Sequence, residues 1–237
     1  MASCPSPQLI HPSLWRGSQW PASRQSCLPA GHAQLAAELP GGGWPLGSLT
    51  ELLSERPGIG ELRLLRPALA RIAPQRAVVL IQPPHVPHQA AWRHWSLSDR
   101  QLLWLRPRND GDALWAAEQV LKNGHCGALL LWQHPIRLPA LRRLHLAAQH
   151  GDMLCVVLRP ASVADQPSAA PLRLALAPTA QGLSVRILKR RGPPCDKNLL
   201  ITLDERLPGL APLPHVPLDL PAPAPAHAGR LPHALAG

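Results

Sequence analysis

The chain has 237 residues, enough for one well-filled core with short extensions, and no run of 18 apolar residues suited to crossing a membrane. Its first residues lack the basic-then-apolar pattern of a secretory signal, and its five cysteines (Cys4, Cys27, Cys126, Cys155, Cys195) are widely spaced without a CxxC pair. A reducing, cytoplasmic setting is expected and a disulfide scaffold is not.

The formal charge is +10, from 24 Lys+Arg against 14 Asp+Glu, which suits nucleic acid or an acidic protein surface as partner. The 30 prolines, eight tryptophans and lack of Phe and Tyr fit a compositional bias that also favours arginine, so charge alone singles out no partner.

Residues 1–27 are rich in Pro, Ser and Gln and follow neither a helical nor a strand period, so they read as a flexible arm. Trp15, Arg16 and Trp20 stand out there, because Trp and Arg make good interface anchors. Residues 28–39 read as a turn and a short helix, and 40–47 as an irregular Gly/Pro turn.

Residues 48–65 read as a strand, a Gly/Pro turn and the start of an amphipathic helix that places Leu62, Leu65, Leu69 and Ile72 on one face from about 59 to 71. That is the layout of a phosphate-binding loop, in which backbone N–H groups and a lysine cradle phosphates at a helix N-terminus. Ser54, Gly58 and Gly60 sit where such a loop would have them, but the turn into the helix reads Gly60-Glu61-Leu62. Glu61 repels phosphate and no hydroxyl is left for Mg²⁺. The loop is degenerate, and neither a cofactor nor ATP hydrolysis is expected.

Buried strands are expected at 77–82, 127–132 and 154–158 and a further strand at 101–105, with helices at 90–95, 110–122 and 137–149. Asp110 or Asp112 marks the start of the second of these helices and Gly124 its end. After a loop at 159–171, residues 172–177 and 183–189 alternate with a period of two around Gln181-Gly182, as in an antiparallel hairpin. Residues 208–237 hold eight prolines, one acid and one base, and read as a disordered tail. The expected fold class is α/β: a mostly parallel sheet flanked by helices on both faces, with a C-terminal antiparallel hairpin, in a body spanning 28–207.

Arg186, Lys189, Arg190 and Arg191 form the densest basic cluster, at a strand end, and are candidates for contact with a nucleic acid or an acidic partner. Arg142 and Arg143 read as an outer helix face. His85 and His88 lack a third ligand, so no metal site is expected. Cys126 and Cys155 read as small core residues within strands.

The order of motifs, Leu28-Pro29-Ala30-Gly31 through Gly41-Gly42-Gly43-Trp44-Pro45 to Ser48-Leu49-Thr50-Glu51-Leu52, resembles the run before the nucleotide loop of RecA recombinases. Leu14-Trp15-Arg16-Gly17, residues 39–45, residues 112–119 and residues 185–192 resemble the ImuA family, RecA-like accessories of bacterial translesion DNA synthesis also called SulA-like. The resemblance implies a RecA-like core and carries three catalytic positions onto this chain, where each is lost. The loop lysine and threonine fall near Glu61, the catalytic glutamate on Pro84, and the Mg²⁺-organising aspartate on Trp132. The nucleotide-sensing glutamine falls on Arg159.

It implies a non-catalytic adaptor in SOS-induced damage tolerance. Its partners would be RecA, an ImuB-like polymerase-related protein and an error-prone C-family DNA polymerase, with direct DNA contact possible. Two alternatives carry different tests: a SulA-like cell-division inhibitor, and a RecA-like ATP- or DNA-binding protein with an atypical loop.

Overall fold

The computed structural model describes residues 26–203 except Ser96 and Ser98, so most of the expected arm and the whole of the expected tail lie outside it. The chain runs β1 (Cys27–Pro29), α1 (Ala33–Glu38), β2 (Gly43–Pro45), β3 (Ser48–Ser54), α2 (Glu61–Ile72), β4 (Val78–Ile81), α3 (Gln89–His94), β5 (Leu102–Leu105), α4 (Asp110–Asn123), β6 (Ala128–Trp132), α5 (Leu138–Ala148), β7 (Leu154–Pro160), β8 (Leu172–Thr179), β9 (Gly182–Lys189) and β10 (Asn198–Thr202).

Eight strands form one sheet in the order β10-β9-β8-β3-β7-β6-β4-β5. β8, β3, β7, β6, β4 and β5 run parallel, whereas β8, β9 and β10 are joined antiparallel. The structure is therefore mixed α/β with a mostly parallel central sheet, helices beside it and a C-terminal antiparallel hairpin.

The unbroken apolar strands follow from burial on both faces. In β4, Val78 and Leu80 join one core with Leu64, Leu65 and Leu69 of α2, while Val79 and Ile81 join the other with Ala117 of α4 and Leu144 of α5. A strand covered on both sides has no face that water selects for polar residues, so its sequence does not alternate.

Several boundaries differ from the sequence expectation for local reasons. α2 begins at Glu61, two residues later than expected, because Gly58 and Gly60 hold positive φ values of 84° and 122° that end any helix there. α4, by contrast, starts at Asp110 and stops at Gly124 as expected, and its cap is Asn109, whose side-chain oxygen accepts the Asp112 N–H at 2.9 Å. Cys126 is half-buried just ahead of β6 and not within it, whereas Cys155 lies fully inside β7, where burial pushes its thiol up to about 12.

β7 continues to Pro160, so Arg159 belongs to a strand and not to the expected loop. The expected irregular turn at 40–47 contains β2, paired antiparallel with β1. β10 was not legible either: it is a short edge strand whose Leu199 and Ile201 are buried and whose Leu200 faces outward.

Strand β3 is held from its first residues. The His145 Nδ1 on α5 accepts the Leu49 N–H at 3.3 Å, a role open only to the unprotonated ring nitrogen. Burial, then the charges of Arg191 and Lys189, lower the His145 pKa from its ordinary 6.5. The unfolded chain therefore takes up this proton first, and the contribution is complete above about pH 6.5 and declines as pH falls below it. Denaturant melts from pH 7.5 to 5 should show a smaller stability loss for His145→Asn than for the parent protein. Equal losses would show that His145 does not set this slope.

Candidate functional site

The turn between β3 and α2 is built to hold an anion. Gly58 and Gly60 aim their N–H groups inward, ahead of the helix N-terminus, whose dipole favours negative charge. A side chain at Gly60 would be strained by its positive φ, and its Cβ, 2.7 Å from Leu203 Cδ1, would push that leucine aside.

The anion is supplied by the chain. Glu61, the first residue of α2, turns its carboxylate back so that Oε1 accepts the Gly58 N–H at 2.7 Å and Oε2 accepts the Gly60 N–H at 3.1 Å. Only 4% of Glu61 is accessible to solvent. The two donors that a phosphate would need already have an acceptor.

Because β3, β4, β6 and β7 are parallel, their C-terminal ends open on the same side of the sheet, and a crevice lies there. It consists of two adjoining cavities of about 240 and 330 Å³ whose common wall includes Glu61, Pro84 and Trp132. Those are the three positions on which the sequence comparison placed lost catalytic groups.

The smaller cavity is lined by Leu80, Pro83, Trp92, Trp95 and Trp132. The larger is lined by Ser54, Arg56, Gln133 and Arg159. Just before it, Gln82 holds φ 51°, a left-handed conformation uncommon outside glycine. Among the described residues, no group of three or more His, Cys, Asp or Glu is placed to hold a metal ion.

Behind the larger cavity lies a buried ion cluster. Glu51 on β3 receives Arg159 Nη1 of β7 at 2.8 Å and Arg173 Nε of β8 at 2.6 Å, with the Glu51 side chain at 0% exposure and Arg159 at 1%. The guanidiniums go on to the carbonyls of Ile136, Val163 and Ala164. Two positive charges and one negative are thus enclosed together, and Arg159 Nε is left without an acceptor. Sequence reasoning put Arg159 at a sensing position and missed its partner, which lies 108 residues away.

The basic cluster is only partly open. Arg190 is tied to the Glu38 carboxylate at 2.9 Å and to the Glu38 carbonyl, and Lys189 Nζ donates to the Ser168 carbonyl at 3.1 Å. Arg186 and Arg191 are exposed. Lys197 and Arg190 hold the Glu38 carboxyl down at about 2. Trp15, Arg16 and Trp20 lie outside the described residues.

No protein family matches the chain, and no curated protein does. Among solved structures, the crystal structure of SulA from Pseudomonas aeruginosa is similar, with 26% identity over 47% of this chain and 97% of that one at a TM-score of 0.40. A TM-score that low carries no argument about fold or function. No helix among the described residues is long and apolar enough to cross a membrane.

Removing the internal anion leaves two donors unmatched. Glu61→Ala should cost about 1–3 kcal/mol in urea unfolding, the usual range for charged hydrogen bonds lost at a buried site, and Glu61→Gln less. An unchanged midpoint in Glu61→Ala would show that the contact does not hold the loop.

Proposed function

We propose that this chain is a non-catalytic RecA-like adaptor in SOS-induced translesion DNA synthesis. It would bridge RecA and an ImuB-like, error-prone C-family polymerase complex. The sequence resemblance to ImuA supplies the biological setting. The observation that carries the non-catalytic part is the Glu61 carboxylate seated on the Gly58 and Gly60 N–H groups. The meeting of Glu61, Pro84 and Trp132 in one crevice supports the RecA-like part.

With Glu61, Pro84 and Trp132 in place of a lysine and two acids, such a crevice lacks the side chains that phosphoryl transfer uses. What remains useful is surface. A RecA-like body can mate with a RecA protomer through shared shape, with Trp15, Arg16 and Trp20 as further anchors. Arg186 and Arg191 offer the polymerase complex or DNA a basic edge; a DNA contact there would weaken steeply with salt.

Thermal melting with and without millimolar Mg²⁺-ATP tests the reading. A ligand at 100 times its dissociation constant would add roughly 2.7 kcal/mol, a shift of several degrees. We expect no shift. A clear upward shift would contradict the closed loop and favour the atypical ATP-binding alternative.

A further inference from the structure

Two features of the crevice define one kind of occupant. The first is charge. The Glu51, Arg159 and Arg173 cluster encloses a surplus positive charge, and Arg159, whose Nε has no acceptor, forms part of the wall of the larger cavity. Arg56 is exposed on the same wall, whereas Arg63, which borders the smaller cavity, already donates to the Leu203 carbonyl at 2.9 Å. Against Arg56 and the cluster's surplus charge stand Glu55, exposed on the rim, and Glu61, whose carboxylate is already bound to the loop N–H groups.

The second feature is the apolar chamber next door. Trp92, Trp95 and Trp132 line it, and at about 240 Å³ it falls short of the ~300–1,000 Å³ typical of sites that enclose a small ligand. It does have room for one large apolar side chain delivered from outside. Buried aromatic pockets of this sort hold the anchors that dominate protein–protein affinity.

We infer that the crevice docks an acidic segment of a partner protein. One large apolar side chain sits among the three tryptophans, and a neighbouring carboxylate faces the exposed Arg56, with the buried Arg159 cluster adding its surplus positive charge behind the wall. Opposite charge across the contact steers the encounter and fixes the register, while the anchor supplies most of the affinity. The inference rests on the proposal that phosphates are shut out, since a bound nucleotide would claim the same space.

The test pans the full chain against random peptides of about 12 residues displayed on phage, long enough to carry an anchor and its flanking charges. The selected consensus is then synthesised and its binding measured. The expected consensus places Asp or Glu beside Trp, Phe or Leu. Its binding should fall about tenfold or more in Arg56→Glu and in Trp95→Ala, tested separately, and remain unchanged in Lys122→Ala on the far helix layer. Arg56 is exposed, so its variant folds even if Trp95→Ala does not.

A consensus without acids, or one whose binding survives Arg56→Glu and a folded Trp95→Ala, overturns the inference and leaves the closed loop standing. Displacement of the peptide by Mg²⁺-ATP, together with a melting shift, overturns the closed loop and this inference with it.

Discussion

Glu51 is the contact on which the centre of the sheet depends. It is fully buried midway along β3 and grips one arginine from each neighbouring strand, so β7, β3 and β8 are tied together three residues before β3 ends and the anion loop departs. A buried carboxylate stripped of its partners costs several kcal/mol, and removing one member of such a cluster typically costs about 3–5 kcal/mol. The geometry therefore selects one register of three strands among those that apolar packing alone would accept. Whatever the loop after β3 does, it does from a fixed base.

Glu61 repeats the device on a smaller scale. It supplies the negative charge that its own loop and helix terminus attract, in place of a ligand. Phosphate-binding loops are costly to leave empty, because several backbone donors converge without an acceptor. A chain that keeps the loop's shape without its ligand needs a substitute, and a glutamate at the first helical position has the reach to be one. Proline and tryptophan at the neighbouring strand ends make the adjoining space apolar.

Much of this arrangement can be read from the residues. The apolar strands, the Gly/Pro turn, the helix face of Leu62, Leu65 and Leu69 and the hairpin around Gln181-Gly182 all follow from local periodicity and turn chemistry. The sequence also shows an acidic residue, Glu61, at the turn into the helix. It does not show that the side chain folds back, since that depends on the φ values of Gly58 and Gly60. Arg159 and Arg173 find Glu51 only through the strand order, which no local pattern encodes. β1 and β2, of three residues each, are too short for a period to register, and the Leu199-Leu200-Ile201 run of β10 does not alternate in hydrophobicity; partner strands complete all three.

The most direct test of the central claim is the amide spectrum of Gly58 and Gly60 in ¹⁵N-labelled protein, compared with Glu61→Gln. The account predicts that both N–H signals lie far downfield and exchange slowly in the parent. Both should move upfield in the variant, as a charged acceptor becomes a neutral one. It is contradicted if Glu61→Gln leaves both signals in place and added Mg²⁺-ATP shifts them instead.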